Sequence, residues 1–246
     1  MNKNFVLKGH ICYSQDKSTL KVCENSYLVC VDGKSKGVFK TLPEEYKNLP
    51  LKDYGDKLII PGMVDLHVHA PQYAFRGMCM DLELMDWLNQ YTFPEEEKYT
   101  NLDYAKKAYS IFTNALKKSA TTRACIFATR HRDATVLLME LMEETGLVSY
   151  VGKVNMDREA SEALIEESAE ASAYNTFGWI NSVHNKFQNT KPILTPRFIP
   201  CCTDELMEEL KQIQMTYGIP VQSHLSESPG EIEFVHFLRP NNEFYG

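Results

Sequence analysis

The stretch Leu58 to Arg76, LIIPGMVDLHVHAPQYAFR, constrains the fold more than any other part of the chain. An apolar run, Leu58-Ile59-Ile60, meets the turn signal Pro61-Gly62, and a short strand is predicted from Met63 to His69. Strand side chains alternate faces, so His67 and His69, two residues apart, point the same way. Two imidazole nitrogens converging at a strand end make half of a metal site. The same spacing also describes a chance pair of histidines on a half-buried strand. The metal reading therefore requires further ligands from elsewhere in the chain.

Downstream of this stretch, strand and helix patterns alternate. Strands are predicted at Thr121 to Phe127, Val148 to Val154, Pro192 to Phe198 and Ile219 to His224. Helices are predicted at Asp81 to Gln90, Asn101 to Ser119, from a cap at Asp133 to a stop at Gly146, Ser161 to Phe187, from Thr203 to Gly218, and from Glu231 to Leu238. Such alternation implies a parallel sheet covered by helices, either doubly wound or closed as a (β/α)8 barrel. Barrel chemistry gathers at the C-terminal ends of strands. The candidate residues His67, His69, Arg197, Phe198 and His224 all fall at such ends, which favours the barrel. No G-x-G-x-x-G or P-loop pattern supports a nucleotide fold. Only five strand-helix units are visible between residues 58 and 246, against eight in a closed barrel, so an incomplete barrel is expected. Residues 1 to 57 read as a small β-sandwich-like module of short strands, with turns at Ser14-Gln15-Asp16 and Asp32-Gly33-Lys34 and a polar, helical connection starting at Leu42.

Composition excludes several classes of function. A net charge of -7 over 246 residues argues against a nucleic-acid surface, which needs a basic face. No apolar run approaches membrane-spanning length, and the N-terminus lacks a signal-peptide pattern. The seven cysteines show no C-x-x-C spacing and read as small core residues of a reducing compartment, which points to the cytoplasm. His10, His131, His184 and His236 have no metal-like partners in sequence and read as surface or packing residues. Glu95-Glu96-Glu97-Lys98 reads as a solvated helix start, and Met78, Met80 and Met85 as packing.

The second informative stretch is QSHLSE, residues 222 to 227. His224, at the end of a later strand, could be a third nitrogen ligand, and three protein ligands plus water describe a catalytic zinc site. Glu227, in the loop above, could shuttle protons. The plainer readings are a core histidine and a solvated glutamate.

The segments PGMVDLHVHAPQYAFRG, ATTRACIFATRHRDAT, VGKVNMDR, KPILTPRFIPCC and VQSHLSES together resemble the guanine deaminase family of the amidohydrolase superfamily. The H-x-H is broad across that superfamily, whereas A-P-Q-Y and T-P-R-F are much narrower. The resemblance implies one zinc per subunit, held by His67, His69 and His224. It implies that Gln72 reads the guanine edge, that Arg197 donates to the purine carbonyl and that Phe198 packs on the ring. It makes Glu227 the proton shuttle for water attack at the amino-bearing C2, giving xanthine and ammonia, in a homodimeric enzyme. Lys153 lies on the predicted third strand and the fourth ends in Arg197, so no lysine-bridged metal pair is expected. Outside the family context Gln72 could cap a loop, Arg197 could form a salt bridge and Phe198 could be plain core. The family's barrel continues with a further histidine and a water-activating aspartate, neither of which this sequence contains. The 246-residue chain by itself is therefore expected to be inactive and to bind zinc weakly. An amidohydrolase for another amino-heterocycle, or a non-catalytic truncated binding module, would share part of this pattern.

Overall fold

The computed structural model describes residues 3–241. The chain divides into two compact units, Met1–Gly62 and Met63–Gly246.

The first unit contains a mixed four-stranded sheet. Its strands are β1 (Phe5–Ser14), β2 (Leu20–Val31), β3 (Lys34–Phe39) and β4 (Leu51–Ile59), in the order β3-β2-β1-β4. Between β2 and β3, Asp32 and Gly33 both take positive φ (54° and 73°), the two-residue turn whose twist matches a hairpin. β1 runs unbroken from Phe5 to Ser14 across an irregularity between Gly9 and Ile11, longer than the short strands expected. Leu58 and Ile59, expected to open the barrel, instead complete β4, where they pair with His10 and Ile11. An apolar triplet satisfies either sheet, and only pairing decides which one takes it. The connection from Leu42 holds a single helical turn, Glu44–Tyr46.

The second unit carries the alternation. Its elements are β5 (Met63–His69), α1 (Leu84–Trp87), α2 (Phe93–Glu97), α3 (Leu102–Lys118), β6 (Thr121–Phe127), α4 (Arg132–Thr145), β7 (Val148–Gly152), β8 (Val154–Asn155), α5 (Ala169–Val183), β9 (Thr190–Pro192), β10 (Thr195–Pro196), α6 (Asp204–Tyr217) and α7 (Pro229–Leu238). A π-helical turn, Leu88–Thr92, joins α1 to α2. Strands β5, β6, β7 and β9 pair in parallel and in chain order, β8 pairs in parallel with β10, and Leu194 bridges Val221 in the same sense. Neighbours in strict chain order build a barrel wall, whereas a doubly wound sheet reverses its order at a switch point. The wall's last segment forms only this bridge rather than a full strand over 219–224.

Helix ends follow local chemistry. The Asn101 side chain accepts from the N–H groups of Asp103 and Tyr104 at the start of α3, and Lys117 and Lys118 face its negative end. Gly146 and Gly218 end α4 and α6 in the left-handed conformation (φ 74° and 63°). Thr203 caps α6 as expected, but α4 starts at Arg132, one residue ahead of the expected cap Asp133. Only Ala169–Val183 of the expected 161–187 helix is helical, capped by Ser168. Trp179, Ile180 and Val183 are buried there against Leu138, Met142 and Leu206 in the main core.

Two further expectations are corrected. Glu95 and Glu96 are buried, not solvated, and their charges are paired: Glu96 meets Arg197 and Glu95 meets Lys98. Met78 and Met80 are exposed, since the segment 76–83 follows no strand or helix that would turn them inward, while Met85 packs against a second apolar cluster with Phe127 and Phe198. Where the third predicted strand breaks between β7 and β8, buried Lys153 meets buried Glu166 at 2.8 Å. Of the free cysteines, Cys30, Cys201 and Cys202 are buried and the other four are half-buried.

Gly152 closes β7 beside Thr195 of β10. A Cβ there would sit 1.7 Å from Thr195 Oγ1 and 2.8 Å from the Ile193 carbonyl. Gly152→Ala is expected to destabilise the chain by roughly 2–3 kcal/mol, read as a lowered urea midpoint. An unchanged midpoint would mean that β10 moves aside freely.

Candidate metal centre and its cavity

The parallel ladder continues past the formal strand ends and brings the candidate residues together. The Ala70 N–H donates to Phe127 O (3.0 Å), Ala128 N–H to Gly152 O (3.0 Å), Arg197 N–H to Asn155 O (3.2 Å) and His224 N–H to Arg197 O (3.1 Å). These bonds set His67, His69, Phe127, Arg197 and His224 on one rim. Ring nitrogens of His67, His69 and His224 lie within 4.8 Å of one another, and Nε2 of His69 is 2.9 Å from Nε2 of His224.

The tautomers make this a ligand set. The Arg197 carbonyl accepts from His224 Nδ1 at 2.6 Å, so His224 keeps its lone pair on Nε2. His69 Nδ1 is buried without a hydrogen-bond partner among the described residues. Whichever tautomer His69 takes, one of its nitrogens is left unsatisfied or faces another lone pair. A cation among the three nitrogens takes up the facing Nε2 lone pairs, and two zinc–nitrogen bonds of about 2.0–2.1 Å accommodate nitrogens close to the observed separation. The residues present fit a zinc ion. Burial first, and then the neighbouring His224, Arg197 and His67, hold His69 well below the usual histidine range. Burial pushes His224 down to about 4, with the Arg197 carbonyl opposing and the Arg197 guanidinium and His67 reinforcing the shift. Both imidazoles are therefore neutral near pH 7, as ligation requires.

The floor beneath the histidines is Phe127, fully buried, with ring centroids 5.0, 4.4 and 4.6 Å from those of His67, His69 and His224. A narrow cavity of about 80 Å³ lies against the triad and is lined also by Gln72, Leu84, Trp87, Leu88, Arg197, Phe198 and Glu227. A wider cleft of about 680 Å³ shares His67, His69, Gln72 and Glu227 with it. All seven site residues expected from the sequence thus border one cavity.

Arg197 is buried, with Nη1 2.8 Å from Glu96 Oε2 and the guanidinium 5.1 Å from the Phe93 ring centre. Glu227 is exposed at the rim, and its N–H donates to Oε2 of buried Glu231 at 2.6 Å. Loss of solvent around its carboxyl, and then the Glu231 carboxylate, push Glu227 above the usual carboxylate range. Phe127, Trp87, Glu96 and Glu231 carry no motif. Phe127 is one apolar residue among several in its strand, and Glu96 sits inside a charged run that looks solvated.

A parallel barrel wall with a three-histidine centre at its C-terminal rim is the arrangement of a metal-assisted hydrolase. The chain belongs to the amidohydrolase family, whose model matches residues 58–241. It is similar to guanine deaminase of Rattus norvegicus, 41% identical over 77% of this chain and 42% of that protein. It is similar also to guanine deaminase of Dictyostelium discoideum, 34% identical over 98% of this chain and 57% of that protein. The solved guanine deaminase from C. acetobutylicum, with guanine bound in its active site, matches with a TM-score of 0.94 and 43% identity, covering 99% of this chain and 58% of that one. The chain spans about half the length of the curated relatives it matches. Among the described residues, no helix is long and apolar enough to cross a membrane.

Burial sets a pH dependence. His224 and half-buried His131, the latter lowered to about 4 by burial and then by Arg130, resist protonation in the fold. In the unfolded chain both titrate near 6.5, so between about pH 6.5 and 4 the unfolded state binds more protons. Stability of the metal-free chain is therefore complete above about pH 6.5 and falls as the pH drops toward 4. Urea unfolding at pH 7 and pH 5 should show this loss, and His131→Gln should make it shallower. Equal midpoints at the two pH values would contradict it.

Proposed function

We propose that this chain carries the site for zinc-dependent hydrolytic deamination of guanine to xanthine and ammonia. The observation that carries the reading is the convergence of three imidazole nitrogens with Gln72 and Arg197 on one narrow cavity. Gln72 offers an amide that both donates and accepts, matching the mixed edge of guanine. Arg197 donates to the purine carbonyl, and Phe198 packs against the ring. Phe127, Trp87 and Leu88 keep the cavity apolar around these polar groups, which strengthens each hydrogen bond there.

His67, His69 and His224 would hold the ion, which when bound supplies Lewis acidity toward water and substrate. Glu227, with its raised proton affinity, delivers a proton to the ring nitrogen beside C2, takes one back from the water that adds at C2, and passes it to the departing amine. Three imidazoles favour zinc over magnesium or calcium, which prefer oxygen ligands. We read the chain as an N-terminal β module ahead of an amidohydrolase barrel. The family likeness supports a homodimer in purine catabolism, and the free cysteines support a cytoplasmic setting.

Titration of zinc-loaded protein with guanine tests the reading. Binding should require the metal, weaken at least tenfold in Gln72→Ala and vanish in His224→Ala. Glu227→Gln should leave guanine binding within about threefold, because a proton shuttle acts in the chemical step and not in binding. Zinc-loaded protein that does not bind guanine would overturn the assignment.

A further inference from the structure

Glu96 is fully buried, yet its carboxylate meets only half of a guanidinium. Oε2 takes Arg197 Nη1 at 2.8 Å, and Oε1 has no hydrogen-bond partner among the described residues. A pair arranged for attraction alone closes as a two-pronged fork. Here the fork is turned aside. The further hydrogen-bond contact of the guanidinium, to Met156 Sδ at 3.9 Å, also uses Nη1. Among the described residues Nε and Nη2 have no protein acceptor, and Arg197 lines the narrow cavity beside the histidines.

Burying both charges is costly, and well-packed apolar residues often serve stability as well or better. The pair therefore calls for another reason. Phe93 and Glu96 stand three residues apart on one face of α2, so one short helix places a ring against the guanidinium and a carboxylate on its Nη1. The residue it grips stands 101 positions away in the sequence. The other half of Arg197 is held by its backbone, whose carbonyl orients His224. With both ends gripped, the guanidinium has little freedom to rotate out of the cavity.

We propose that Glu96 is the positioning residue for carbonyl recognition: its monodentate grip on Nη1 presents the remaining guanidinium donors of Arg197 to the oxo group of the bound purine. The proposal rests on the guanine reading above. It assigns Glu96 a role in discrimination between purines with and without that oxo group, and no direct contact with substrate.

The test compares guanine with 2-aminopurine, which keeps the amino group and lacks the ring carbonyl. Binding to zinc-loaded protein is measured by calorimetry for guanine and by fluorescence for 2-aminopurine. Glu96→Gln retains shape and one acceptor oxygen but removes the charge, and Glu96→Asp withdraws the carboxylate by one methylene. Both should weaken guanine binding about tenfold, the scale of one charge-assisted hydrogen bond. Both should leave 2-aminopurine within twofold, because that ligand makes no use of the positioned donors. Equal weakening of both ligands, unchanged guanine binding, or failure of both variants to fold would make the pair a packing element and overturn the proposal. Wild-type protein that binds neither purine would instead bring down the guanine assignment itself. Normal wild-type binding with no selective loss in the variants brings down the role of Glu96 alone.

Discussion

Arg197 is the residue on which the site depends, because its two ends answer two different constraints. Its backbone carbonyl fixes the tautomer of His224 and so decides which nitrogen faces His67 and His69. Its guanidinium is a charge buried next to three imidazoles, and an unpaired charge there would cost several kcal/mol. Glu96 supplies the opposite charge, and Phe93 supplies a ring face. Metal-ligand geometry, cavity lining and the packing of α2 are thus coupled through one side chain.

The parallel ladder makes that coupling possible. Parallel strands joined by covering helices bring all their C-terminal ends to one rim, whatever their separation in sequence. Here the rim gathers residues from four segments through backbone hydrogen bonds that outlast the regular strands. Beneath it Phe127 gives the three imidazoles a dry floor, and that dryness holds His69 and His224 neutral. Several buried polar groups nearby are tied down. Asn155 donates to Ser172 and Thr176, Lys153 donates to Glu166, and the Asp157 side chain holds Thr203. Asn155, whose carbonyl accepts from the Arg197 N–H, ties this network to the rim.

The features legible in the sequence were those with a short period or a local cause. The H-x-H pair follows from the two-residue repeat of a strand, and the ends of α4 and α6 follow from Gly146 and Gly218. The alternation of strands and helices gave the layered parallel sheet. Features that depend on partners far away in sequence were not legible. Leu58 and Ile59 are apolar enough for either unit, and only their pairing with His10 and Ile11 assigns them to the first. Glu96 looks solvated until Arg197 arrives from 101 residues away. Met78 and Met80 look like core until the segment carrying them proves to be exposed.

By itself, then, the sequence determined the residue types that can ligate, donate and shuttle protons, and the strand ends on which they stand. Local periodicity and turn chemistry are enough for that. Only the tertiary structure decided which nitrogen of His224 is free, which carboxylate neutralises Arg197 and which ring lies under the metal centre. Each of those outcomes is a contact between strangers in the chain, and burial, which makes an unpaired charge or lone pair expensive, selects among the possible partners.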